Sequence, residues 1–469
     1  MKRIAVIGGG VSGLASAYYL EKAADTEITL FEQSGRLGGV IRSERENGFC
    51  WEMGPDSFLS QKPAGIRLAE ELGLTDRLLN SNSRSVFVVR GGRLVPFPAG
   101  FQFFVPSGWG ALARTPLLGW KAKFQVVQEM FRRRGPQREE ISVAGFVRSR
   151  LGGEIYEYLA EPLLSGIYGG DAEQLSMNAV LPQLLAYEGS HGNVIRGVLD
   201  AARASRAAPG PWSVFVSFRD GMQEFTDRLA ARLARTQVRC EQPVEEVARD
   251  GPRYRVQGDA FDAVVLATSA AVAGRLLGKT APEIAGLLLQ IPYTSAITVS
   301  LGYRSADLPE AEGGFGYVAP RVENRRVLAC SWLSAKFSGR APEGHTYVRG
   351  FLGGARFPEM IDFPDEKLTA LVVHELSGLM GVTRPPQMVK IARWNAAMAQ
   401  PVMGHPQRIA SLRERLAAQP GLALAGNYLD GIGIPDCIRS AQSAAEKISP
   451  ALQPAGVNMV AFGSLDGEP

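Results

Sequence analysis

The first spacing in the chain that indicates chemistry is a set of glycines near the N-terminus. The segment Gly8-Gly9-Gly10-Val11-Ser12-Gly13 contains the pattern GxGxxG. Between a strand and a helix, its first glycine makes a tight turn, its second lets the backbone reach a pyrophosphate, and its third lets the helix pack closely. With 53 glycines among 469 residues, about one chance match is expected. The flanking residues must therefore decide whether this is a binding loop.

The flanking residues favour a dinucleotide-binding loop. Ile4–Ile7 and Ile28–Phe31 have the composition of buried strands, and Leu14–Leu20 has that of a helix. Glu32 follows the second strand, 19 residues after Gly13, at the spacing that lets a carboxylate bind the ribose. A carboxylate there repels a 2′-phosphate, which disfavours NADP. The candidate binding residues are Gly8, Gly9, Gly10, Val11, Ser12, Gly13, Glu32 and Gln33.

Two segments after Glu32 favour a flavin over a nicotinamide. Ser34–Val40, with the sequence SGRLGGV, and Glu52–Ser57, with the sequence EMGPDS, resemble segments of the amine-oxidase-like FAD superfamily that surround the adenosine pyrophosphate. An arginine there offers cationic donors to the diphosphate, and paired glycines let the backbone approach. The resemblance implies FAD contacts at Arg36, Gly38, Gly39, Val40, Gly54, Pro55, Asp56 and Ser57.

Composition and charge exclude several other functions. The balance of 51 Lys+Arg against 47 Asp+Glu gives a net charge of +4 without a basic cluster, so we expect no nucleic-acid partner. The four cysteines show no CxxC spacing and the four histidines no triad or metal pattern, so we expect no metal and no disulfide framework. These features predict a cytoplasmic protein. The glycine loop argues against a signal peptide, and Pro and Gly between Arg93 and Arg114 argue against a membrane span there.

Later segments supply further parts of the predicted FAD domain. Val238–Val247 and Tyr254–Val256 are predicted to pair as strands, and Phe261–Thr268 is predicted to be a buried parallel strand. By the resemblance, Val244 contacts the adenine through its main chain, with an ordinary core valine as the alternative. Near the C-terminus, a helix is predicted to begin near Ile434, where Pro435 suits its first turn. Its N-terminal dipole would face the flavin, which implies contacts at Ile432, Gly433 and Ile434.

Two insertions separate these parts. Residues 96–210 have a helical pattern, in which Trp120, Phe124, Val127 and Phe131 share one helix face. We favour a face that covers a core, and an anionic membrane surface is the alternative. Residues 279–399 are rich in strands. The predicted fold is α/β: a Rossmann-like FAD-binding domain of the amine oxidase/p-hydroxybenzoate hydroxylase type (1–80, 211–278 and 400–469), a mixed-sheet substrate domain (81–95 and 279–399) and a helical domain (96–210).

Four segments carry a resemblance to one family over essentially the whole chain. They are GPDSFL (54–59), SGIYGGDAEQLS (165–176), GFGYV (314–318) and GIGIPDCI (431–438). Together they resemble the bacterial oxygen-dependent porphyrinogen oxidases of haem synthesis, which act on protoporphyrinogen IX or coproporphyrinogen III. The second segment is the most telling, since general amine oxidases lack it.

The resemblance implies an enzyme with non-covalently bound FAD that oxidises a porphyrinogen by six electrons. Dioxygen is the acceptor and hydrogen peroxide the product. Such chemistry needs few protein acids and bases, because the flavin and the macrocycle supply it. Gly169 and Phe315 are the candidate catalytic positions. The implied substrate contacts are Phe315, Val318, Phe351 and Arg84, and Trp394 is an implied flavin-side aromatic, with core packing as its alternative.

Several alternatives stay open at this stage. Ile434-Pro435-Asp436-Cys437 is more similar to the coproporphyrinogen branch, whereas neither Arg84 nor Arg90 aligns cleanly with the propionate-binding arginine of the protoporphyrinogen branch. A flavin amine oxidase or carotene-desaturase-like enzyme is one alternative, and a non-catalytic FAD- and tetrapyrrole-binding scaffold is another. A peripheral contact with the cytoplasmic membrane face, a homodimer and hand-over of the product to the next haem-pathway enzyme also remain open.

Overall fold

The computed structural model describes residues 1–23, 25–82, 85–132, 140–207, 210–308 and 314–452. The strands in these ranges are β1 (Lys2–Ile7), β2 (Thr26–Phe31), β3 (Ser43–Glu46), β4 (Phe49–Glu52), β5 (Phe58–Leu59), β6 (Leu78–Asn80), β7 (Phe87–Arg90), β8 (Arg93–Pro96), β9 (Phe101–Gln102), β10 (Val105–Pro106), β11 (Phe215–Phe218), β12 (Thr236–Arg239), β13 (Val247–Asp250), β14 (Arg253–Val256), β15 (Asp259–Phe261), β16 (Ala263–Leu266), β17 (Tyr293–Arg304), β18 (Gly316–Val318), β19 (Ala329–Trp332), β20 (His345–Gly353), β21 (Met388–Ala399) and β22 (Leu422–Leu424).

The helices in the same ranges are α1 (Val11–Ala23), α2 (Pro63–Glu71), α3 (Trp109–Arg114), α4 (Trp120–Glu129), α5 (Val143–Arg150), α6 (Gly153–Ile155), α7 (Glu161–Tyr168), α8 (Met177–Val180), α9 (Pro182–His191), α10 (Val194–Ala207), α11 (Gln223–Ala231), α12 (Ala270–Leu276), α13 (Pro282–Leu289), α14 (Leu333–Lys336), α15 (Asp365–Met380), α16 (His405–Ala417) and α17 (Ile434–Leu452). A π-helical turn, Tyr156–Ala160, makes α6 and α7 continuous.

The first of two large sheets is parallel and has five strands in the order β12-β2-β1-β16-β22. Its central strands are apolar runs because helices cover both faces. On one face α1, α2, α11 and α17 enclose an apolar core, and on the other α12, α13 and α16 enclose a second. The predicted strand Val238–Val247 is wrong as one element: β12 joins this sheet, and only after a loop does β13 pair with β14.

The second large sheet has seven strands in the order β21-β17-β20-β19-β18-β7-β8. It is antiparallel except where β18 pairs with β7. Because side chains alternate along each strand, one face packs on α15 through residues such as Val299, Val348 and Trp332. The register places Thr298 beside Phe351 on the other face, and that face is turned toward the loop after β4.

Helices α3 to α10 form the helical part around their own apolar cluster. Helix α4 packs into this cluster through Ala122 and Val126 rather than through its aromatic residues. Trp120 is 74% exposed, Phe124 57% and Phe131 83%. The expectation that the aromatic face covers a core is therefore wrong, because small aliphatic side chains on the opposite face do the packing.

Candidate functional site

The glycine loop lies between β1 and α1, at the carboxyl end of the parallel sheet. A Cβ on Gly13 would overlap the carbonyl oxygen of Gly8, so helix and strand approach more closely than any other residue allows. Gly39 has a φ of +58° and lies against Gly10, where the loop after β2 folds over the first loop. The N–H of Gly38 donates to the carbonyl of Gly9 at 2.8 Å and fixes this contact.

The start of α1 offers the features that a dinucleotide pyrophosphate needs. Val11, Ser12 and Gly13 form its first turn, where backbone N–H groups have no acceptor within the helix. A Cβ built on Gly10 would have Gly39 Cα, at 3.9 Å, as its nearest neighbour, so the loop leaves open space there. These features fit a dinucleotide, with the helix dipole directed at the phosphates.

Glu32 is buried at the end of β2 and is held by the loop itself. Its Oε2 accepts a hydrogen bond from the N–H of Gly9 at 2.7 Å, and its Oε1 accepts from the N–H and Oγ of Ser34 at 2.8 and 2.7 Å. A carboxylate has about four acceptor sites, so one remains for a ribose hydroxyl. The neighbouring Gln33 is exposed.

Arg36 lies beside the loop, and its guanidinium binds backbone carbonyls. Its Nη1 donates to the carbonyls of Leu37 at 3.0 Å and Ile41 at 3.2 Å, and its Nη2 donates to that of Gly39. The arginine therefore shapes the turn that presses on Gly10, and Val40 stays 43% exposed at its rim. Its predicted contact with the diphosphate remains a prediction.

Residues Gly54 to Ser57 lie between the two sheets. The Asp56 carboxylate accepts from Lys336 Nζ at 2.7 Å and lies 3.6 Å from Arg349 Nη1. Burial raises the pKa of Asp56, but the two cations outweigh this effect and hold it at about 2. Ser57 Oγ also donates to Asp56, at 2.6 Å. The described partners of this carboxylate are therefore protein groups. Its contact with FAD stays a prediction.

The segment that contains Ile432 and Gly433 leads into α17. Helix α17 begins at Ile434, as the sequence predicts. Asp436 in its first turn accepts from the N–H of Gly433 at 3.3 Å and from Lys62 Nζ at 2.5 Å, which is helix-start chemistry. Cys437 is a packed thiol whose pKa burial raises to about 12. Ile432 and Gly433 precede this turn.

Trp394 and Val244 contact apolar neighbours in the structure. Trp394, on β21, donates its indole N–H to the carbonyl of Met53 at 2.8 Å and packs near Trp51 and Phe49. Val244 is half-buried against the apolar core that contains Phe31. Both lie beside the predicted FAD segments, and their cofactor contacts stay predictions.

Two predicted substrate residues and one candidate catalytic residue lie where the helical part meets the seven-stranded sheet. Gly169 ends α7 with a φ of +55°, and its carbonyl accepts from the N–H of Ala355 at 2.7 Å. Val318 and Phe351 belong to one apolar cluster with Tyr168. The fold therefore brings Val318 and Phe351, from distant segments, into one apolar cluster, which we call the apolar wall, and Gly169 directly follows Tyr168 of that cluster.

Phe315 occupies a different place from Val318. Its ring meets that of Phe215 edge-on at 6.2 Å, and Lys336 Nζ lies 5.3 Å from its centre. It is 8% exposed. Arg84 lies outside the described residues.

Sequence reasoning missed the charged residues behind this wall. Glu52, Lys336, Arg340 and Arg349 are all buried near Asp56. The sequence could have indicated two of them. Glu52 ends a strand whose other residues are apolar or aromatic, and Arg349 lies within a mostly apolar strand. A charged residue in such a strand is unusual unless it has a buried partner.

Comparison with known proteins agrees with this geometry. The family model described as flavin containing amine oxidoreductase matches residues 11–449. The chain belongs to this family. FAD is therefore its cofactor, and the loop of α1 is the part of the structure that fits it best.

Relatives within this family resemble the chain over nearly its full length. A protein of Bacillus subtilis (strain 168) named coproporphyrinogen III oxidase is 32% identical, covering 94% of this chain and 97% of its own length. A spinach protein named protoporphyrinogen oxidase 1, chloroplastic, is 29% identical, covering 94% and 83%. A crystal structure from Exiguobacterium sp. 255-15, provisionally named protoporphyrinogen oxidase, has a TM-score of 0.84 at 33% identity and covers 96% and 99%.

The described residues also bear on metal binding and on membrane spanning. In the ranges that the structure covers, no group of three or more His, Cys, Asp or Glu side chains is arranged to hold a metal ion. Within the same ranges, every helix is too short or too polar to cross a membrane.

Proposed function

We propose that this flavoprotein oxidises a porphyrinogen to its porphyrin in haem biosynthesis. The reaction removes six electrons and six hydrogens and consumes three dioxygen molecules, which leave as three hydrogen peroxide molecules. FAD, bound without a covalent bond, would supply the redox chemistry of this reaction, with dioxygen as the final electron acceptor. The observation that carries the proposal is near-full-length similarity to relatives with this name. In support, Arg349 contacts both Phe351 of the apolar cluster and the carbonyl of Gly54, which lies against Val40 beside the dinucleotide loop.

The protein's own residues would bind and orient the macrocycle. Val318 and Phe351 would offer an apolar surface to a flat ring, and Gly169 ends the helix whose Gly166 lies beside Val318. Such a wall also excludes water from the reacting carbon. No acid or base at this wall is required, because the pyrrole nitrogens assist loss of hydrogen from the macrocycle.

Coproporphyrinogen III is the substrate that we favour. The relatives with that name include one 32% identical over nearly the whole chain, and the segment Ile434–Cys437 resembles that branch. Protoporphyrinogen IX is the second candidate, supported by the spinach relative. The test compares kcat/KM for the two porphyrinogens by porphyrin fluorescence, with peroxide measured in parallel. A higher value for coproporphyrinogen supports the assignment, and a higher value for protoporphyrinogen overturns it.

The exposed aromatic face of α4 supports peripheral binding to an anionic membrane surface. Trp120, Phe124 and Phe131 are more than half exposed, and no acidic residue occurs between Asp76 and Glu129. Aromatic side chains beside cations such as Lys121 suit an interface of anionic headgroups. The four free cysteines suit a reducing compartment, so we place the protein in the cytoplasm.

A further inference from the structure

Five charged side chains are buried together where the segment Met53–Ser57, which we call the Gly54 segment, meets the seven-stranded sheet. Glu52 and Arg340 are 0% exposed, Arg349 2%, Lys336 5% and Asp56 9%. Charged groups this deep are costly unless they are paired or serve a purpose. We call these five residues the ion cluster.

The ion cluster joins the cofactor segment to the sheet. Arg349, on β20, donates through Nη2 to the carbonyl of Gly54 at 2.5 Å and to that of Met53 at 3.4 Å. Lys336, at the end of α14, binds Asp56 Oδ1 at 2.7 Å and Ser57 Oγ at 3.1 Å. Every residue from Met53 to Ser57 except Pro55 is therefore held by a cation of the opposite domain.

The cluster carries an excess of positive charge. Arg340 pairs with Glu52 at 3.4 Å, and Lys336 and Arg349 share Asp56. Among the residues that the structure describes, no other carboxylate lies within 4.0 Å of these three cations. Three cations and two carboxylates leave a net charge of +1, or more when Glu52 is protonated.

The same cations contact both aromatic substrate candidates. Lys336 Nζ lies 5.3 Å from the centre of the Phe315 ring, and the Arg349 guanidinium lies 4.9 Å from that of Phe351. Cations over aromatic rings at these distances attract them. The cluster thus lies between the predicted cofactor segment and the predicted substrate wall.

We propose that Lys336 and Arg349 are positioning residues that hold the Met53–Ser57 segment against the sheet and place a net positive charge beside the FAD. Because reduction adds negative charge to the cofactor, a nearby positive charge favours its reduced state and so promotes electron uptake from the substrate. This inference rests on the proposed function, which gives a porphyrinogen as the electron donor.

The test is the midpoint potential of the bound FAD in charge variants, measured with a reductant and a reference dye. Lys336→Met removes a cation and should lower the potential, whereas Asp56→Asn removes the anion and should raise it. The double variant should lie near the unaltered protein. Lys22→Met, which breaks the surface pair with Glu71, is the control and should leave the potential unchanged.

Shifts of the same sign in both single variants, or unchanged potentials with only a lower melting temperature, would overturn the proposal. If Lys336→Met does not fold, Arg349→Gln and Lys336→Gln must lower the potential, while Arg349→Lys must preserve it. Because no porphyrinogen is used, a failure of the proposed substrate would leave this result intact. If the unaltered protein oxidises neither porphyrinogen while the variants show the expected shifts in potential, only the proposed function is contradicted.

Discussion

At the scale of single residues, Glu52 is a carboxyl group whose environment opposes its charge. It is fully buried, and burial raises its pKa to about 7 although Arg340 opposes the rise. Its carboxylate accepts from Ser43 Oγ at 2.6 Å and from the N–H of Met222 at 3.0 Å, so the site is satisfied in hydrogen bonds. Folding therefore favours the protonated form of this acid.

This raised pKa predicts a fall in stability with rising pH. Between the ordinary glutamate pKa and about 7, the folded chain keeps a proton that the unfolded chain releases, so the free energy of unfolding decreases as pH rises. Denaturant titrations between about pH 5 and about pH 8 should show a smaller decrease for Glu52→Gln than for the unaltered protein. Glu27→Gln, at an exposed position, should keep the original slope. Equal slopes for Glu52→Gln and the unaltered protein contradict the prediction.

The pKa of Asp56 is shifted in the opposite direction, below its ordinary value. Lys336 and Arg349 hold its pKa at about 2, so its contribution to stability is present above the ordinary aspartate pKa and is lost as pH falls toward 2. Asp56→Asn leaves Lys336 buried without its partner and should lower the free energy of unfolding near neutral pH by about 3–5 kcal/mol. Chemical denaturation measures this loss, and a loss below about 1 kcal/mol would show that the pair is not stabilising.

Phe315 is the residue whose predicted substrate role is easiest to separate from packing. Phe315→Ala should lower kcat/KM by roughly tenfold to a hundredfold with FAD content retained, because the ring would position the macrocycle. Phe124→Ala, at an exposed ring of α4, is the matched control and should keep its turnover in solution. Loss of FAD in proportion to turnover would show that Phe315 is a packing residue.

At the scale of elements, the contact between β1 and α1 depends on Gly13. A Cβ there meets the carbonyl oxygen of Gly8, so Gly13→Ala must push the helix away from the strand. We expect a loss of stability of about 1–3 kcal/mol and weaker FAD binding, measured by denaturation and by flavin content. Gly189→Ala, on α9 with open space around it, should be neutral or stabilising. Full FAD affinity in Gly13→Ala would contradict the predicted loop.

Helix α4 makes a separate prediction about membranes. Changing Trp120, Phe124 and Phe131 to Ser should reduce co-sedimentation with vesicles of anionic lipid by about tenfold or more, since these exposed side chains would enter the interface. Leu289→Ser, at a 55% exposed leucine elsewhere, is the control. Equal sedimentation of the triple variant and the unaltered protein would exclude this face as the contact.

The elements that the sequence predicts well are those built from neighbouring residues. The order β1, α1, β2 and the start of α17 at Ile434 follow from local patterns of glycine, proline and apolar residues. The ion cluster does not follow from them, because Lys336 and Asp56 are 280 positions apart and only the fold brings them together. The aromatic stripe of α4 misled because its periodicity cannot tell a buried face from an exposed one.

At the scale of the whole molecule, a series of contacts links the dinucleotide loop to the ion cluster and the apolar wall. Gly39 lies against Gly10, Gly54 lies against Val40, and Arg349 contacts both Gly54 and Phe351. The division into three domains (1–80, 211–278 and 400–469; 81–95 and 279–399; 96–210) stays a prediction that agrees with which strands share a sheet. The Gly54 segment and α17 belong to the first of these domains and the ion cluster's cations to the second. Because Lys336 and Arg349 bind the Met53–Ser57 segment, we expect the cofactor and substrate positions to depend on each other.

Anaerobic titration of the FAD-loaded protein with coproporphyrinogen III tests the central claim most directly. We predict that the visible absorption band of the flavin bleaches as porphyrin fluorescence appears, with three equivalents of flavin reduced for each porphyrin formed. Admission of dioxygen should then restore the band and release peroxide. A band that neither coproporphyrinogen III nor protoporphyrinogen IX bleaches, but that an amine does, would contradict the account.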